Sequence, residues 1–307
     1  MMTPAEYFRY KKNKKKYQTT DDGIVIRDPD EVDKIPWRKK DWWRYLISCI
    51  LLLIYLFPFY VIVMVSLKTF NDISPRAQFP NPVFLGNFKA VFQSGEIFLG
   101  IKNSLIITVG VLIIQVVVGS LAAYALARNQ TKFNEVVRNL IMSVMMISPL
   151  TTLVGVYSTM SKIHGTSTYW GIILILSAFG LPLTIFLYTN FIGSIPKALD
   201  EAAAIDGANN LQTFFLVILP QLRTVTVTVL ILQGVGIWNE YTYSYYFLQK
   251  QNMATITLVI KSFFGSVMND YGQAAANAVI GMTPLIVLYL FLQKYFIQGQ
   301  VDSAIKS

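Results

Sequence analysis

The chain has few of the residues that side-chain chemistry requires. It has one cysteine, Cys49, so no internal disulfide can form and cysteine usage is silent on redox compartment. Its one histidine, His164, leaves no cluster for a metal site. No glycine is followed by lysine, so the phosphate-cradling pattern G-x-x-x-x-G-K-[ST] is absent, as are H-E-x-x-H and G-x-S-x-G. No catalytic residue, metal ligand or nucleotide site is therefore expected here. Charge is scarce too. Asp, Glu, Lys and Arg make up 14% of the residues, against about a quarter in an ordinary soluble domain.

Apolar length takes the place of charge. The composition is 54% hydrophobic and the mean hydropathy is +0.48. A bilayer core takes roughly 20 apolar residues per helix. Six stretches qualify: 45–67, 104–127, 140–157, 169–191, 225–247 and 276–296. They predict an all-α membrane protein with six transmembrane helices, forming one membrane domain over 45–307. The first stretch is not a cleaved signal, because it is too long, follows a long polar segment and lacks a small-residue cleavage site. Pro149, Pro182 and Pro284 interrupt the third, fourth and sixth stretches, and Gly234 and Gly236 loosen the fifth. Such breaks are tolerated where a neighbouring helix or a cavity satisfies the freed backbone groups. Gly119, Ala123 and Ala127 recur every fourth residue on the second, which predicts a small-residue face for close packing.

The net charge of +9 is unevenly placed. Residues 1–44 form a basic tail whose run Arg9-Tyr10-Lys11-Lys12-Asn13-Lys14-Lys15-Lys16 stands out. By the positive-inside rule the N-terminus is cytoplasmic, and six crossings return the C-terminus to the same side. Beyond the tail the basic residues are balanced between the two sides, so this orientation rests on the tail. The basic run reads as a solvated topology anchor or a contact for anionic membrane lipid, with nucleic acid disfavoured. Trp37, Trp42 and Trp43 among Lys and Arg predict an interfacial helix near 36–44. On this topology 195–220 is cytoplasmic, while 68–103, 158–168 and 248–275 are external.

Ionisable residues inside the stretches would mark an ion-coupled transporter. The first four have none, the fifth has Glu240, and the sixth has Lys294 near its cytoplasmic end. One carboxylate is thin support for proton or sodium coupling, so an ion-coupled secondary transporter stands as the alternative. Amides, carboxylates and aromatic faces are the groups that bind sugar hydroxyls and rings. Gln233, Asn239, Glu240 and Tyr243 are accordingly the candidate translocation path, and Gln233 and Asn239 stand out because lipid would leave an amide unsatisfied. Two bland readings compete: an aromatic belt at Tyr245 and Tyr246, and polar bridges from Gln233 and Asn239 to a partner chain.

Between the fourth and fifth stretches lies EAAAIDGANNLQTFFLVILP, residues 201–220. Pro196 suits a first helical turn, and 197–206 is rich in Ala, Leu and Glu. Gly207 can end that helix in the left-handed conformation. A second helix is expected from Asn209 or Asn210 towards Leu219, with Pro220 breaking the backbone where the next span begins. The product is a compact knob with Glu201 and Asp206 available to cationic partners. Spacing alone fits an ordinary surface helix-turn-helix equally well.

Glu201, Ala202, Ala203, Asp206, Gly207, Leu219 and Pro220 resemble the signature loop of permease subunits in binding-protein-dependent ABC importers, although Val217 stands where that family usually has Ile. Ala122–Arg128, Thr168–Gly171, Phe179–Pro182, Trp238–Glu240 and Leu292–Phe296 resemble the carbohydrate-uptake class. The similarity runs from about Tyr45 to Ser307 and is strongest to the second, six-span permease of maltose-type importers. It implies a type I ABC importer permease fold, a transport subunit rather than an enzyme, in a bacterial plasma membrane. It further implies a second permease as heterodimer partner, two cytoplasmic ATPases docked on the 195–220 coupling loop, and an extracellular or periplasmic sugar-binding protein. ATP and Mg would be bound by the ATPases, with no cofactor in this chain. Gln249, Gln251 and Asn252 would touch the binding protein, and the Gly299–Ser307 tail would reach the ATPases. The class carries mostly oligosaccharides, with polyol and glycerol-phosphate carriers as the alternative within it.

Overall fold

The computed structural model describes residues 17–19, 25–27, 42–264 and 270–305. The basic run at 9–16 and residues 36–41 of the expected interfacial helix lie outside the described residues. Residues 1–59 and 60–307 separate into two compact units. In the first, strands β1 (Tyr17–Thr19) and β2 (Val25–Arg27) pair antiparallel, with Tyr17 opposite Arg27. Helix α1 (Trp42–Ser66) begins there, and its most apolar window has no buried residue. A helix that leaves so much apolar surface exposed belongs in lipid or against another chain.

In the second unit the chain leaves α1 through an ordered segment. Lys68 is buried, and its ammonium donates to the Ser74 hydroxyl and to the carbonyls of Ser74 and Pro75. The hydroxyl and the backbone N–H of Ser74, with Lys68, hold the Asp72 carboxyl below its usual range. Asn87, on α2 (Gly86–Ser94), donates its amide to the carbonyls of Ser66 and Lys68, tying α2 to the end of α1.

The centre of this unit is a pair of long helices, α3 (Glu96–Arg128) and α6 (Tyr169–Gly193). They run side by side in the same direction. Ile107 and Val111 cluster with Ile172, Ile175 and Leu176 near the two N-terminal ends. Ala123 and Ala127 cluster with Ile185, Tyr188 and Ile192 near the C-terminal ends. The small-residue face predicted on α3 lies in this contact: a Cβ on Gly119 would meet Thr184 Cγ2 at 2.6 Å. Apolar area drives little association inside lipid, so close approach and interhelical hydrogen bonds hold such pairs.

A parallel pair requires a return crossing between them. It is made by α4 (Lys132–Val144) and α5 (Pro149–Lys162), bent by 101° at the break. The expected third span, 140–157, is therefore not one straight helix. Ser148 sits before Pro149 and is extended, with ψ 130°, as the proline ring demands, and Pro149 then opens α5.

After α6 come α7 (Ala198–Ile205) and α8 (Asn210–Gln221), then α9 (Arg223–Trp238), α10 (Thr242–Phe247), α11 (Ile256–Ser262) and α12 (Tyr271–Ile305). The stretch expected as the fifth span, 225–247, is split at Asn239–Tyr241. Glu240 takes the N–H groups of Tyr243 and Ser244 at 2.6 and 2.9 Å and so opens a new helix. Trp238 donates its indole N–H to the Gly281 carbonyl and joins α9 to α12. Among the described residues, four helices are long and apolar enough to cross a membrane, or six crossings if each bent pair counts as one.

Candidate functional site

The expected knob is present. Helix α7 closes in the manner that frees a chain to turn: Ala208 N–H donates to Ala203 O at 2.9 Å and Gly207 N–H to Ala204 O at 3.1 Å. This double closure places Gly207 in the left-handed region, with φ 83°. Asn209 then caps α8 reciprocally with Gln212, each side chain accepting the other's backbone N–H, at 2.9 and 2.8 Å.

The end of α8 departs from the expectation that Pro220 breaks the chain. Residues 213–218 are wound as a π-helix, so Pro220 falls in the first turn of the segment after it, where no N–H is required. The break comes two residues later, at Leu222, with a bend of 75° before α9.

One face of the knob is anchored and the other is open. Phe214, Ile218 and Leu222 are buried against Tyr188, Ile192 and Val225, and the Phe214 ring lies 5.3 Å from that of Tyr124. Ala203 is buried, Leu219 is half-buried, and Glu201, Ala202, Asp206 and Pro220 are exposed. The open face also carries Ile205 at 86% exposure, Leu216 at 73% and Leu211 at 62%. Exposed aliphatic side chains on a polar turn mark a surface that meets another protein or the membrane. Sequence reasoning missed these three, because apolar residues in a helical segment read as core until the turn shows which way they face.

A second feature it missed is charged. Arg128, at the end of α3, pairs with Asp200 of α7, Nη2 to Oδ2 at 2.8 Å. Tyr124 donates its hydroxyl to the other oxygen of Asp200 at 2.6 Å. The guanidinium also donates through Nη1 to the carbonyls of Ile192 and Ile195, at 3.3 and 3.0 Å. The resemblance motif at 122–128 holds both Tyr124 and Arg128, but nothing in it points to Asp200 far along the chain.

The four path residues do not converge on one wall. Gln233 turns to α6, donating to the Gly180 carbonyl at 2.8 Å and the Thr184 hydroxyl at 3.2 Å. Both carboxylate oxygens of Glu240 are engaged by α10, since Ser244 also donates its hydroxyl at 2.8 Å. Tyr243 is buried, stacks on Phe179 and donates its hydroxyl to the Pro149 carbonyl. Asn239 alone of the four is exposed, and its amide N–H bonds back to Val235 O at 2.9 Å.

At the opposite end of α3, Gln249, Gln251 and Asn252 are all exposed. Their loop is stapled from beneath by Asn103, which is fully buried and donates to the carbonyls of Asn252 and Ala254 at 3.1 and 2.8 Å. Tyr169 fixes the Asn103 amide by donating to its oxygen at 2.7 Å. A groove of about 420 Å³ runs beside Gln251 and Asn252, with Glu96, Leu99 and Leu258 among its walls. The two loops thus sit at opposite ends of one rod.

The knob stands at one end of a bundle of broken helices, with an open polar loop at the other. Residues 115–301 match the family model for the binding-protein-dependent transport system inner membrane component. The chain belongs to this family. Among curated relatives, this permease is 40% identical over 262 residues to the melibiose/raffinose/stachyose import permease protein MelC of Bacillus subtilis (strain 168), covering 85% of this chain and 95% of that one. The permease also shares its fold with a chain of a bacterial ABC transporter involved in import of the acidic polysaccharide alginate. The TM-score is 0.72 at 20% identity, covering 85% of this chain and 99% of that one. A second structure, of the alginate transporter in complex with an alginate pentasaccharide-bound periplasmic protein, gives a TM-score of 0.63 at 20% identity, covering 83% and 93%.

Proposed function

We propose that this permease forms half of the pore of an ATP-driven importer and that its substrate is an oligosaccharide. The observation that carries the reading is the exposed two-helix knob at 198–221, bare of partners on its apolar face, in a chain of this family. The knob is the docking point for a cytoplasmic ATPase, with Glu201, Ala202, Asp206 and Gly207 at its tip and Leu219 and Pro220 at its base. Two ATPases bind ATP and Mg, and a second permease completes the pore.

The saccharide reading is supported by the relatives, whose names state import of melibiose, raffinose and stachyose in one case and alginate in the other. The alginate complex with its periplasmic protein supports a binding protein that delivers sugar to the loop bearing Gln249, Gln251 and Asn252. The basic tail supports cytoplasmic placement of both chain ends and of the knob. Asn239 is the favoured path residue of the four, since its amide is the exposed one; selectivity then lies mainly with the binding protein. An ion-gradient transporter is disfavoured by the family match and by Glu240, whose oxygens are engaged as a helix cap.

Cross-linking tests the docking directly. With Ala202→Cys in the assembled complex, a bond to a cysteine-bearing ATPase subunit is expected. Cross-links to the binding protein instead would overturn the orientation.

A further inference from the structure

We propose that Arg128, Asp200 and Tyr124 form the joint through which movement of the docking helix α7 reaches α3 and α6. The proposal rests on the reading of α7 as the ATPase-docking helix. It concerns how that helix is held, for which α7 has few means of its own. It is eight residues long, with Ala203 as its buried residue. A helix this short is marginal by itself, and one methyl group gives it little grip.

Asp200 supplies the grip. Its side chain is 19% exposed and that of Arg128 is 11% exposed, so the 2.8 Å pair is largely shielded from water. Tyr124 and Arg128 stand one turn apart on the same face of α3. Tyr124 hydrogen-bonds one oxygen of the Asp200 carboxylate and the Arg128 guanidinium pairs ionically with the other, which ties α7 to the end of α3.

The guanidinium does more than pair. Its Nη1 holds Ile192 O in the last turn of α6 and Ile195 O just beyond it. A cation at the carbonyl end of a helix is well placed. One planar group therefore touches the ends of α3 and α6 and the side of α7. A lysine, with a single ammonium on a flexible stem, cannot span these contacts at once. The Tyr124 ring also rests on Phe214 of α8, so both halves of the knob bear on the last turns of α3. At the far end of that helix Asn103 holds the outer loop. A displacement of the knob can thus travel along α3 to the surface where sugar arrives. These are positioning residues; none is expected to touch sugar or ATP.

The test uses the assembled transporter in proteoliposomes, with uptake and ATP hydrolysis measured together. Asp200→Asn and Arg128→Lys should lower uptake on the order of tenfold while hydrolysis falls less, so more ATP is consumed per sugar. Asp200→Glu, which keeps the charge, should recover most of the lost rate. Tyr124→Phe keeps the ring on Phe214 and should shift the ratio in the same direction by a smaller factor. Unchanged ATP per sugar in Asp200→Asn overturns the joint. Equal loss of assembly in Asp200→Asn and Asp200→Glu also overturns it, because the contact then only holds the fold together. Docking is read separately with Ala202→Cys. A cross-link to the ATPase with normal coupling in Asp200→Asn removes the joint alone, whereas no cross-link in the otherwise unaltered protein removes the docking reading and the joint with it.

Discussion

Gln233 of α9 reaches across to α6 and gives its amide to the Gly180 carbonyl at 2.8 Å, beside a second amide, Gln115, that is fully buried. Neither polar atom of Gln115 has a hydrogen-bond partner among the described residues, and a Cβ on residue 180 would overlap its Nε2. Gly180 is thus the gap that admits two glutamines between α3, α6 and α9. Gln233 accordingly holds the fold first. Gln233→Leu should destabilise the purified complex by about 1 kcal/mol, read as a lower midpoint of thermal unfolding, with the choice among sugars unchanged. A variant as stable as the parent but altered in sugar preference would return Gln233 to the path.

Gly207 separates turn geometry from knob chemistry. Its φ of 83° suits a residue without a Cβ, and nothing lies within 4 Å of where a Cβ would stand. Gly207→Ala should cost about 1 kcal/mol and leave coupled uptake largely intact. Gly207→Pro, whose ring fixes φ near −65°, should insert in the membrane yet fail to retain the ATPase on purification. Full uptake by the proline variant would sink the docking role.

Single cysteines map the sides of the membrane. In a Cys49→Ala background, Ser161→Cys and Gln251→Cys should react with an impermeant thiol reagent applied to intact cells, whereas Gln130→Cys and Asn209→Cys should not. All four positions are exposed. Labelling of Asn209→Cys in intact cells would invert the topology and place the knob away from ATP.

How much of this the sequence disclosed depended on whether the signal was local. Gly207, the start of a second helix at Asn209 or Asn210 and the interruption at Pro149 follow from neighbouring residues, and the chain shows each where its chemistry asks. Pro220 misled because a π-helical turn upstream absorbed its missing N–H, which no propensity of Pro itself foretells. The helix-capping bonds of Glu240 were not legible, because a carboxylate within an apolar stretch looks the same in a sequence whether it faces a channel or caps a helix. The Arg128–Asp200 pair lay beyond reach, since only the parallel packing of α3 and α6 brings those ends together.

Asn103 tests the outer loop. Asn103→Ala removes both bonds that hold the carbonyls of Asn252 and Ala254. Each is worth about 1 kcal/mol, so the loop should loosen while the bundle survives. The expected result is weaker stimulation of ATP hydrolysis by loaded binding protein, with basal hydrolysis unchanged. Undiminished stimulation would show that the binding protein docks elsewhere.

The central claim, ATP-driven import through this permease, is tested most directly by sugar uptake into proteoliposomes holding the whole complex. Raffinose is the first sugar to try, presented on its binding protein outside, with ATP sealed inside. Uptake should require the enclosed ATP and should persist when ionophores collapse proton and sodium gradients. Uptake that ignores ATP and stops with the ionophores would contradict the account.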